Sequence, residues 1–118
     1  GVEMLTATIT PGATSNRLII LCNWMGTHSA SMAGILLALF QDSTTNPLSA
    51  TALKMYDSST PHNFSLMHEM AAGTTSATTF KIRGGAHAAG TTYMNAVNGS
   101  AGWGSVPRST MQIWEIAA

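Results

Sequence analysis

Four histidines, five carboxylates, one cysteine and 28 Ser and Thr hydroxyls hold most of the chemistry open to this chain. The densest group is the string PHNFSLMHEM, where His62, His68 and Glu69 fall within eight residues. On an extended strand His68 and Glu69 point to opposite faces, so one strand cannot aim both at a metal ion. His62 would lie roughly 20 Å from His68 at about 3.3 Å per residue. The group reads as an unusual polar set near a subunit interface rather than a zinc site, and no metal ligands are assigned. A histidine on the threefold axis of a trimer would bring three copies together and could hold an ion or anion.

Nucleophilic and acid–base chemistry find less support. No G-x-S-x-G elbow occurs among the many serines. The carboxylates Glu3, Asp42, Asp57, Glu69 and Glu115 form no local pair of the glycosidase kind. The glycine-rich stretches at Gly84-Gly85 and Gly99 to Gly104 lack phosphate-loop spacing and lead toward strands, not helices. No catalytic residue and no cofactor is expected. Cys22, inside the run LIILC, reads as a buried structural thiol.

Binding chemistry is better represented, by rings near loops. Trp103 stands between glycines, Tyr56 and Tyr93 lie close to loops, and exposed rings at the end of a β-sandwich commonly contact sugars or proteins. Trp103, Tyr56, His62 and His28 are the candidate loop contacts. Trp24 and Trp114 read as core or interface residues. The eight methionines suit irregular contacts in a core or between subunits.

The elements that would position these groups are strands. Alternation or short apolar runs mark 3–10, 17–25, 32–41, 53–56, 63–71, 78–83, 91–96 and 109–117. Pro11-Gly12, Asn46-Pro47, Ser58 to Pro61 and Gly84 to Gly90 interrupt them, with one short helical turn allowed in 41–52. Segments 17–25 and 32–41 are apolar on both faces. The spacing predicts an all-β, eight-stranded antiparallel sandwich or jelly roll occupying residues 1–118 as a single domain.

Composition agrees. Charged residues make up 8% of the chain and formal charge sums to zero, which removes the electrostatic case for nucleic acid or an anionic membrane. No apolar run is long enough to insert in a membrane as a helix. The start, Gly1-Val2-Glu3, reads as that of a processed product or an excised domain. Low charge with 45% apolar residues favours association and suits burial between subunits.

Four blocks carry a resemblance: Ile9 to Ile20 (ITPGATSNRLII), Ala38 to Thr44 (ALFQDST), Met70 to Arg83 (MAAGTTSATTFKIR) and Met111 to Ala117 (MQIWEIA). Together they resemble a domain found at the ends of phage tail fibres and other virion appendages. That resemblance implies a jelly roll similar in architecture to the tumour-necrosis-factor-like trimers, displayed on the virion surface and carrying no catalytic residues. Its partners would be its own copies, other virion proteins, and a host cell-surface glycan or protein. The expected function is a non-enzymatic fibre tip for host attachment. The alternatives are a capsid decoration protein and, further off, a carbohydrate-binding module using Trp103.

Overall fold

The computed structural model describes all 118 residues. Eight strands follow in order: β1 (Val2–Ile9), β2 (Arg17–His28), β3 (Gly34–Gln41), β4 (Ser49–Lys54), β5 (His62–Ala71), β6 (Thr78–Ala86), β7 (Thr92–Met94) and β8 (Thr110–Ile116). One antiparallel sheet has the order β1-β6-β3-β4. In the other, β2 pairs with β5 along one edge, and with β8 and then β7 along the other. The all-β sandwich expected from the pattern is therefore the fold.

The core forms because the two sheets turn one alternating set of side chains toward each other. Leu18, Ile20, Cys22 and Trp24 of β2 meet Ile35, Leu37 and Leu39 of β3, Phe80 and Ile82 of β6, and Phe64 and Leu66 of β5. Trp24 stacks on Phe64 with ring centroids 5.2 Å apart. Burial pushes the Cys22 thiol up to about 11, as expected of an inert structural cysteine.

Several boundaries differ from the sequence pattern. β2 continues three residues past Met25, because its last turn of the ladder pairs Gly26, Thr27 and His28 with β7. β6 runs through Gly84-Gly85, where ladder pairing to β3 outweighs the weak strand preference of glycine. β4 starts at Ser49 rather than at 53, since Ser49, Thr51 and Leu53 turn inward on a strand with only one large apolar residue. The polar excursion at 42–48 closes with a bond from Thr44 N–H to the Gln41 carbonyl and holds no helix. The one helical segment is a 3-10 turn at Trp103–Ser105, unforeseen in the glycine-rich loop.

The strand directions gather the connections at two ends. Segments 10–16, 42–48, 72–77 and the C-terminus share one end. Segments 29–33, 55–61, 87–91 and 95–109 share the other.

Candidate functional site

The second of these ends holds most of the candidate contacts. Tyr56 follows β4, and its carbonyl accepts the Met32 N–H at 3.3 Å. Beyond it Asp57 folds the chain back, accepting the Ser59 N–H, the Ser59 hydroxyl and the Thr60 N–H, each at 2.8 Å. These bonds, the Ser59 side-chain bond foremost, hold the Asp57 carboxyl below its ordinary range. The turn is locked to the long loop 95–109. Ser58 Oγ donates to Asn98 Oδ1 at 2.6 Å, and the Asn98 N–H donates to the Ser58 carbonyl at 3.0 Å.

His62 opens β5, and its ring lies 5.9 Å from that of Tyr56. Its Nε2 is buried and meets no partner. Trp103 is 87% exposed, and its φ of 55° is a left-handed conformation that costs a bulky side chain energy. The structure thus brings Tyr56 and His62 together and presents Trp103 on the same end, with no aromatic contact joining it to either.

His28 is a correction. Expected in a loop as a surface contact, it closes β2 instead and is buried. Pairing to Thr92 of β7 pulls it inside, where Nδ1 bonds the Thr92 hydroxyl at 2.9 Å and Nε2 lies unpartnered beneath Gly90. His68 and Glu69 do face opposite ways. His68 sits opposite Ile20 on the inward side, and Glu69 forms an outward ion pair with Arg17 at 3.0 Å.

A second surface is the outward face of the β5-β2-β8 sheet. Register places Ile19 between Glu69 and Trp114, Leu21 between Met67 and Gln112, and Asn23 between Ser65 and Thr110. Met67 is 66% exposed and Trp114 59%, and Ile116 also faces solvent. Trp114 is therefore no core residue. The double-sided apolarity of 17–25 signalled this face, whereas the parts played by Met67 and Ile116 needed the strand partners to be known.

All five carboxylates have structural partners. Glu3 lies 3.9 Å from Lys81, Asp42 accepts the Thr79 N–H at 2.8 Å, and Asp57 and Glu69 are engaged as described. Glu115 accepts Asn16 Nδ2 and the Gly12 N–H, both at 2.7 Å. Those bonds, Asn16 first, draw its carboxyl below the ordinary range. No three His, Cys, Asp or Glu side chains gather as a metal site.

Compared with known proteins, the whole chain, residues 1–118, matches the family model described as the Pgp3 C-terminal domain. No curated protein matches it. That family is one of a chlamydial virulence-plasmid protein and not of phage particles. The match overturns the expected fibre tip, the capsid-decoration alternative and the location on a virion surface.

Proposed function

The chain belongs to the Pgp3 C-terminal domain family, and from that membership we propose that it is a non-catalytic assembly module, a homotrimer that presents its loop end to a partner protein. The observation that carries this reading is the outward row Ile19, Leu21, Met67, Trp114 and Ile116 on the β5-β2-β8 sheet. A sheet face in water normally alternates to polar residues; one with Met and Trp standing more than half exposed marks an interaction surface. The chain's zero net charge offers no repulsion to keep copies apart. A trimer, rather than a dimer, rests on the likeness of this antiparallel jelly roll to the tumour-necrosis-factor-like trimers. The Arg17–Glu69 pair and the Asn23–Ser65–Thr110 row would then supply polar complementarity within an apolar interface.

The non-catalytic part of the reading rests on a different point: four of the five carboxylates accept hydrogen bonds within the fold, and the fifth, Glu3, lies 3.9 Å from Lys81. Tyr56, His62 and Trp103 lie at the end of the sandwich rather than on its sheet face, so association need not cover them.

Sedimentation and light scattering at micromolar concentration test the assembly. The expected mass is that of three chains, falling to one chain in Leu21→Arg or Trp114→Lys with far-UV circular dichroism unchanged. A wild-type monomer would remove the module reading, and a dimer would remove the threefold.

A further inference from the structure

Strands avoid glycine unless something must come close, yet β6 carries Gly84 and Gly85 side by side. Packing explains the first. Gly84 faces inward, where a Cβ would stand 2.6–2.8 Å from the side chains of Met4 and Leu37. Nothing in the fold explains the second. Gly85 faces outward opposite Leu36, and a Cβ there would meet only the Gly1 Cα, at 4.0 Å.

The missing side chain opens a trough of about 590 Å³ along the outward face of β3 and β6. That size falls within the range of small-molecule sites, roughly 300–1,000 Å³. Leu36, Ala38, Ala52 and Gly85 form its apolar bed. Phe40 stands at one end, and at the other His87 accepts the Gly34 N–H on Nδ1 at 2.6 Å. From Gly34 to Phe40 the trough follows six residues of strand, about 20 Å at 3.3 Å per residue.

The charge beside this bed is positive and unclaimed. Arg83 pairs with Ala38 in register, and its guanidinium carbon lies 5.8 Å from the centroid of the Phe40 ring. It makes no ion pair and no side-chain hydrogen bond. The nearby acids are taken, Glu3 by Lys81 and Asp42 by the Thr79 N–H. Lys54, across from Gly34 on β4, is likewise unpaired.

We propose that this trough binds a straight-chain aliphatic carboxylate, its chain lying along β3 over Leu36, Ala38 and Gly85 and its carboxylate on the Arg83 guanidinium. A glycine-floored apolar channel accepts methylenes at contact distance, and a fork of unpaired N–H donors matches a carboxylate in plane and charge. The trough lies on the β1-β6-β3-β4 sheet, away from the β5-β2-β8 face, and a failure to bind decanoate would say nothing about the number of chains in the assembly.

Titration of the whole chain with decanoate and hexanoate, below micelle-forming concentrations, tests this by calorimetry and amide chemical shifts. One site per chain is expected, about tenfold tighter for decanoate because four further methylenes lie half-buried. Gly85→Val places a strand-favouring residue in unstrained backbone, so the melting temperature should hold or rise while decanoate affinity falls at least tenfold. Arg83→Gln should weaken decanoate about fivefold and leave decanol unchanged. The proposal is overturned by an absence of saturable binding, by unchanged affinity in Gly85→Val, or by decanol binding as tightly as decanoate.

Discussion

Asn16 and Glu115 show how single side chains hold this molecule's ends. Asn16 Nδ2 and the Gly12 N–H both donate to one Glu115 oxygen, while Asn16 Oδ1 accepts the Ala118 N–H at 3.2 Å. The β1–β2 turn is thereby fastened to the last strand across about a hundred residues of sequence, a distance no local pattern can report. A carboxyl held below its unfolded-state value stabilises the fold above that unfolded value, and the stabilisation disappears as pH falls through the folded one. Glu115→Gln should therefore lower the melting temperature near neutral pH and flatten its decline between about pH 6 and pH 3; an acid limb as steep as the wild type's would take Glu115 out of the account. Trp103 makes the opposite case. Its left-handed φ costs about 1 kcal/mol and its ring is almost fully exposed, while glycine there would loosen the unfolded chain by about 0.5–1 kcal/mol. Trp103→Gly should accordingly leave the unfolding free energy within about 0.5 kcal/mol of wild type, although Trp24→Ala should cost about 3–5 kcal/mol. Urea denaturation of both variants separates a displayed tryptophan from a packed one.

At the scale of elements, the strands with large alternating residues were readable and those without were not. β1, β5 and β8 follow their patterns closely, since Leu5, Phe64, Leu66, Met111 and Ile113 announce an inward face. β4 hid behind Ser, Ala and Thr, and the far end of β2 hid behind Gly26-Thr27-His28, which become strand only because β7 arrives to pair with them. His28 was misplaced for the same reason: a loop-like triplet became buried once tertiary pairing took it. Gly26 is the position where that pairing is most exacting. Trp24 and the Tyr93 carbonyl close over it, so a Cβ would run into both. Gly26→Ala should destabilise by about 3 kcal/mol, more than an ordinary strand glycine substitution, with the urea m-value unchanged. A variant as stable as the wild type would mean that β7 can leave β2 without consequence.

For the whole molecule, the resemblance to phage appendages and the family actually matched part company for a geometric reason. The four resembling blocks map onto the end of β1 with its turn, the end of β3, the β5–β6 connection and β8, all of which converge on the end that Asn16 and Glu115 fasten. They describe how a jelly roll is tied together, and carry nothing about where it is displayed. Tyr56, His62 and Trp103, which would differ with the partner, lie at the other end and outside every block. The proposed trimer buries the β5-β2-β8 face, and such burial has a thermodynamic signature. When three folded chains unfold from one assembly, each tenfold rise in concentration adds about 0.9 kcal/mol of stability per chain, which lifts the melting temperature by a few degrees in a domain of this size. A monomer whose apolar face merely tolerates water shows no such slope. The wild type should therefore melt higher at higher concentration, and Leu21→Arg, with a charge placed between Met67 and Gln112, should melt at a temperature independent of it. A flat wild-type curve would mean that Met67, Trp114 and Ile116 face solvent in the working protein, and that the burial of this face is not what holds copies together.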